Sequence, residues 1–424
     1  MSELANFQQI FERDPTNPQA FNNVCMAAER VGDFEYLAEL LKYRTQITQD
    51  QQEIVELFAR AGEVYLDKLK DLTRGVEALL QGYERDRSFA NIADRLETIY
   101  REAGDYEAAL AILEGRLDAV TRQDRDGTQG VVRSDLHQRA GEIWEDRLKD
   151  QEKALGHYRE AIELDKTNLQ ALYRSREIYY KQGKFKNAAK LCELEARVEK
   201  DNGRKVALYR ELASILLTKL NDHEQAVTAL KRALKVDQTD DAVKADLANA
   251  IAHSPMDPAN AKDHKWAADF FAKVSAATPG AEGMKLACQG LRAYPSSDKA
   301  LAAVSAKAKE SGDYDSLIAA CKAACSALSD INEQAPIIRA IVRGYLHKGA
   351  QAEALAWGQK ILAVATEKDL ELISRLKETS NVSPLPSLTE DIPPASHPAS
   401  AAVPRHSAPP PRPSMPPAPA PVAR

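Results

Sequence analysis

Arg60-Ala61-Gly62-Glu63-Val64-Tyr65-Leu66-Asp67-Lys68-Leu69-Lys70-Asp71 returns 79 residues later as Arg139-Ala140-Gly141-Glu142-Ile143-Trp144-Glu145-Asp146-Arg147-Leu148-Lys149-Asp150. A looser third copy runs from Glu211 to Asp222. A second kind of segment alternates with it: Gly32-Asp33-Phe34, Gly104-Asp105-Tyr106 and Gly183-Lys184-Phe185, whose glycines stand 72 and 79 residues apart. Interleaved, the two kinds recur at roughly 35 residues, a period that means stacked supersecondary units rather than one large core.

Inside each period, small and large apolar residues alternate at helical spacing. Gly104, Ala109 and Leu113 form one such set, as do Gly183, Ala188 and Cys192. Ala154, Tyr158, Ala161 and Asp165 form another, and Ala226, Leu230 and Ala233 repeat it. Gly312 and the Gly349–Ala354 pair carry the pattern toward the C-terminus. Small residues let two antiparallel helices approach, the aromatic fills the space to the next unit, and glycine ends the first helix in the left-handed region.

Period and positions together resemble the tetratricopeptide repeat family, and a bacterial member of it is expected. That resemblance implies an all-α, right-handed superhelical α-solenoid of helix-turn-helix repeats. It also implies a non-enzymatic scaffold or adaptor that binds partner peptides or helices on a concave face. The alternative is a regulatory or co-chaperone module controlling a client protein's activity or assembly.

Residues 3–15 read as a lone second helix, and Asn17-Pro18 opens the first full unit. Units are expected at about 18–51, 56–88, 90–122, 135–168, 169–202 and 207–240, giving an N-terminal array over 1–253. Starting on a half-unit leaves one face uncapped, so self-association through it is expected. Two prolines in Ser254-Pro255-Met256-Asp257-Pro258 interrupt the array over 254–263, read as a loop rather than a hinge. An alanine-rich, degenerate array follows over 264–379. Residues 380–424 hold 14 of the 21 prolines and are expected to be disordered, with P-x-x-P spacings at Pro410–Pro413 and Pro413–Pro416.

In the resembling family the first helices of the units line the groove. Projected onto this chain, the partner-binding candidates are Asn22, Asn23, Arg60, Arg139, Tyr173, Arg174, Glu177 and Tyr180. Guanidinium groups suit a peptide carboxylate because they donate two parallel hydrogen bonds. The competing reading pairs these arginines with acids of the chain, such as Glu63 and Glu142. The family's carboxylate-clamp set is not reproduced.

Composition narrows the function further. With 57 basic and 63 acidic residues the formal charge is −6, which offers nucleic acid no attraction. The five scattered cysteines do not form a disulfide framework, and no leader-like N-terminus or membrane-length apolar run is present, so a cytoplasmic protein is expected. Cys321 and Cys325 share a helix face but lack the further ligands zinc needs. Asp124-Arg125-Asp126-Gly127 lacks the spacing of a calcium loop. No catalytic set, metal or cofactor is expected.

Overall fold

The computed structural model describes residues 3–380, and among these it contains helices and no strand. The proline-rich tail expected to be disordered lies outside the described residues. Helix α1 (Glu3–Arg13) comes first and unpaired. Three two-unit modules follow. The first comprises α2 (Pro18–Val31), α3 (Phe34–Ile47), α4 (Gln51–Glu63) and α5 (Leu72–Arg85). The second comprises α6 (Ala90–Ala103), α7 (Tyr106–Gln123), α8 (Gly130–Asp146) and α9 (Gln151–Leu164). The third comprises α10 (Leu169–Lys181), α11 (Phe185–Val198), α12 (Asn202–Ile215) and α13 (His223–Val236).

Beyond the modules lie α14 (Asp241–His253), α15 (Ala261–Ala277), α16 (Gly280–Ala293), α17 (Asp298–Ser311) and α18 (Tyr314–Ser326). Last come α19 (Ile331–His347), α20 (Gln351–Gly358) and α21 (Glu367–Ser380). Consecutive helices pack against one another along the whole series, which makes the protein an α-solenoid.

Two kinds of turn explain the two kinds of sequence segment. In the first unit of each module a left-handed glycine ends the helix, with φ of 77° at Gly32, 79° at Gly104 and 72° at Gly183. In the second unit the last turn widens instead. Val64–Lys68 and Leu216–Leu220 are π-helical, and long backbone bonds close the end: Asp71 N–H to Tyr65 O at 2.8 Å, Asp150 to Trp144 at 2.9 Å, Asp222 to Leu216 at 2.9 Å. The residue before each of these aspartates is left-handed without being glycine: Lys70 (φ 55°), Lys149 (58°) and Asn221 (52°). Each aspartate then caps the following helix.

A Cβ in the left-handed region is costly, least so for asparagine. Lys149→Gly is therefore expected to stabilise the array by about 0.5–1 kcal/mol, and Asn221→Gly by less. Denaturant titration of both variants checks the order.

Several helices begin earlier than the repeat pattern suggested. Helix α4 starts at 51 rather than 56 because Asp50 accepts hydrogen bonds from the backbone N–H of Gln52 and Glu53. Helix α12 starts at 202 rather than 207 because Asp201 caps it through Arg204 N–H. Helix α8 starts at 130, and α15 at 261, which confines the proline-bearing connection to 254–260. Asn260 ties that connection down, its side-chain amide donating to Pro255 O at 2.9 Å.

Apolar packing is segmented in the modules and continuous afterwards. Separate buried clusters centre on Leu37 and Tyr65, on Leu79 and Leu96, on Leu113 and Ile143, and on Tyr158 and Ile178. One cluster then runs from Ala189 to Leu376, across the 254–260 connection. Arg44, Glu97, Arg116, Arg176 and Glu195 are buried charged residues within the modules.

Candidate functional site

The eight candidate residues all lie on the even-numbered helices α2, α4, α8 and α10, one layer of the solenoid. Sequence correspondence between modules aligns Asn22 with Asp94 and Tyr173, and Met26 with Thr98 and Glu177. Of this layer's large apolar side chains, Met26, Val31, Val131, Tyr173 and Tyr180 are exposed. Tyr173, Glu177 and Tyr180 fall at i, i+4 and i+7 of α10 and share one face. Asn22 is exposed, and half-buried Asn23 accepts a hydrogen bond from the Gln19 amide at 3.1 Å.

The arginines do not present free guanidinium groups. Arg60 pairs with Glu29 at 2.6 Å, and Arg174 with Asp146 at 3.1 Å and Glu145 at 3.4 Å. Arg139 meets Asp94 at 2.7 Å, Asp135 at 3.4 Å and the carboxylate of Glu97. Most of these acids lie on the preceding unit, and neither Glu63 nor Glu142 is among them. Arg95–Asp67 and Arg210–Asp246, both 2.7 Å, and Arg176–Glu211 extend the series. Each even-numbered helix from α2 to α14 is thus bridged to the next by an ion pair.

One of these bridges appears twice with its charges inverted. Glu97, Arg116 and Arg139 of the second module correspond in sequence to Arg176, Glu195 and Glu211 of the third. Arg176 is 4% exposed and pairs with Glu195 at 2.9 Å as well as with Glu211. Burial works against the Arg176 charge, but the Glu195 and Glu211 carboxylates outweigh it and hold its pKa above the ordinary value. Burial raises Glu195 despite Arg176 beside it. Sequence reasoning named Arg139 but missed Glu97 and Arg176. The signal was there in the repeat alignment, as opposite charges at equivalent positions.

Between α8 and α9 the Nδ1 atoms of His137 and His157 stand 3.2 Å apart. Burial, then His157 and Arg133, lowers His137 to about 4, and burial lowers His157 against the pull of Glu114 and Glu160. A histidine depressed in the folded state leaves the unfolded chain binding more protons below its ordinary pKa. Stability is therefore full above about pH 6.5 and falls as pH drops toward 4, by on the order of 1 kcal/mol after solvent screening. His137→Phe should flatten that part of the pH–stability profile.

Among the described residues no group of three or more His, Cys, Asp or Glu is placed to hold a metal ion. Cys321 is fully buried, and burial pushes its thiol up to about 12, consistent with a packing role. Asp126 is engaged by the Thr128 hydroxyl at 2.9 Å, and Asp124 by Gln129 N–H at 3.1 Å. No helix among the described residues is long and apolar enough to cross a membrane.

Two sequence models of the tetratricopeptide repeat match the chain, over residues 93–128 and 208–240. They fall on α6–α7 and α12–α13, one unit of each kind. The fold class is an α-solenoid. Within that class, the two matched segments carry the tetratricopeptide-repeat pattern. Similar solved structures include MamA, at 18% identity over 43% of this chain and 97% of that one, with a TM-score of 0.31. The C-terminal part of a repeat protein from Cytophaga hutchinsonii is 16% identical over 74% and 99%, with a TM-score of 0.30. The pilF protein of Pseudomonas aeruginosa is 15% identical over 52% and 92%, with a TM-score of 0.31. No curated protein matches the chain.

Proposed function

We propose that this protein is an interaction scaffold that binds a partner peptide or helix on the even-numbered helix layer, centred on α10. The observation that carries the reading is the α10 face on which exposed Tyr173 and Tyr180 flank half-buried Glu177, on a helix whose arginines are held within the array. Rigid aromatic groups lose little entropy on binding and dominate interface energetics, whereas an arginine already paired within the chain offers less. Asn22, Asn23 and Met26 extend the same layer toward the N-terminus. Charge balance favours a protein over nucleic acid as the partner, and the free cysteines favour the cytoplasm as the place of action.

Affinity capture from the native cell with the full-length chain tests this. The Tyr173→Ala/Tyr180→Ala variant should lose the captured partners and keep its helical content. Retention of the same partners would remove α10 from the binding surface. Self-association through α1 belongs to the same reading, because Ile10 is exposed there beside Phe11 and Tyr43. Ile10→Glu should then lower the sedimentation-derived mass.

A further inference from the structure

The three modules serve as controls for one another on the opposite, odd-numbered layer. In the first, Tyr65 is buried at the end of α4, and the Arg74 guanidinium lies 4.7 Å from its ring centroid. Arg74 also donates two hydrogen bonds to Glu35 of α3, at 2.8 and 2.9 Å, tying α5 to α3. In the second, Trp144 occupies the position of Tyr65, and Lys153, at the position of Arg74, places its Nζ 3.8 Å from the ring centroid. An aromatic ring under a cation thus fills this position in both modules.

The third module carries Leu216 and Gln225 at these positions. Gln225 turns back on Asp222, its amide donating at 2.6 Å. The result is a cleft of about 550 Å³ between α11 and α13, floored by Leu212, Leu216 and Leu220. The rim changes sign on its α11 side as well, while Asp222 and Glu224 keep the α13 side acidic. Glu35 and Glu107 of the first two modules become Lys186, and Glu39 and Ala111 become Lys190. Both lysines line the cleft and are exposed. No acid pairs with either among the described residues, whereas Arg232 and Glu193 satisfy each other at 2.5 Å.

We propose that this cleft receives an aromatic side chain flanked by carboxylates, presented by a partner protein. The ring takes the place that Tyr65 and Trp144 fill in the other modules, and the carboxylates pair with Lys186 and Lys190. Burial of the ring supplies affinity, and the two lysines supply selectivity for acidic flanks. The inference rests on the protein-binding reading above but uses the opposite helix layer.

Fluorescence anisotropy with the full-length chain and a labelled Asp-Glu-Trp-Phe-Glu-Asp peptide tests it. The peptide should bind the wild type. Lys186→Glu/Lys190→Glu, at exposed positions, should weaken binding by about tenfold or more. Leu216→Trp/Gln225→Lys copies the second module's filling and should abolish binding without lowering the melting temperature. Tyr173→Ala/Tyr180→Ala should bind the peptide as the wild type does. Absence of wild-type binding, or unchanged affinity in the lysine variant, overturns the cleft assignment. Loss of peptide binding in the tyrosine variant alone also overturns it, moving the contact to the other layer. Partner capture unaffected by the tyrosine changes, with the peptide still bound in the cleft, removes only the α10 reading.

Discussion

Replacing Glu97 with alanine is expected to destabilise the array by about 2–3 kcal/mol, because it removes the fully buried carboxylate of an arginine cluster that then keeps only Asp94 and Asp135. Glu97 is 1% exposed, and Arg101 and Arg139 both pair with it. Arg116, 7% exposed, pairs with Asp94 at 2.7 Å, the carboxylate it shares with Arg139. The third module shows what should rescue the loss. Asp94, Glu97, Arg116 and Arg139 correspond there to Tyr173, Arg176, Glu195 and Glu211. Asp94→Tyr, Glu97→Arg, Arg116→Glu and Arg139→Glu together should recover most of the stability that Glu97→Ala removes. A residual deficit is expected because Asp135 then faces a glutamate one helical turn away, where the third module has Ala207. Thermal and denaturant unfolding of the two variants makes the comparison. If Glu97→Ala is neutral, or the inverted set is no better than the single change, the bridge is not an interchangeable staple between units. The same result bears on function, since an arginine that holds the array together is a poor candidate for gripping a partner.

The helices were legible in the sequence because two short signals, a left-handed glycine and an aspartate cap, recur at a near-constant period. Gly104 with Asp105 and Lys149 with Asp150 are the clearest instances. The wide turns at Val64–Lys68 and Leu216–Leu220 were not legible. They arise from how the chain leaves the helix through a left-handed lysine or asparagine, residues that carry no strong turn signal of their own. The sequence could assign the candidate residues to one helix layer, but not the state of their arginines. Whether Arg60 is free depends on Glu29, 31 residues away, and a family projection does not see that pairing. Comparing the modules position by position does see such pairings. It exposes the inverted charges at Glu97 and Arg176 and the missing ring at Leu216.

Gly141→Ala is the second large effect expected. An added Cβ there would lie 2.6 Å from Cε1 and 2.8 Å from Cδ1 of Tyr158. That ring is fully buried and cannot swing aside, because its hydroxyl donates to Glu145 at 2.9 Å. Overpacking of this kind costs about 1–3 kcal/mol, set against a helix-propensity gain of about 1 kcal/mol for alanine. A net loss of up to about 2 kcal/mol is therefore expected. The other modules solve the same packing problem differently. The first pairs Gly62 with Leu79, and the third places Ala213 opposite Leu230. The third module accommodates an alanine there because leucine faces it, so the substitution should be repaired by its partner. Gly141→Ala/Tyr158→Leu should regain stability over Gly141→Ala alone, although Glu145 then loses its hydrogen-bond donor. Adding Glu145→Leu removes that carboxylate, which then has only Arg174 at 3.4 Å, and brings the site close to the first and third modules, which carry Leu66 and Leu217 there. Additivity fails for residues in contact, so the test is a coupling energy rather than three separate melting temperatures. A coupling near zero between positions 141 and 158 would mean that the helices adjust their spacing freely. The modules' sequence differences would then reflect drift rather than packing.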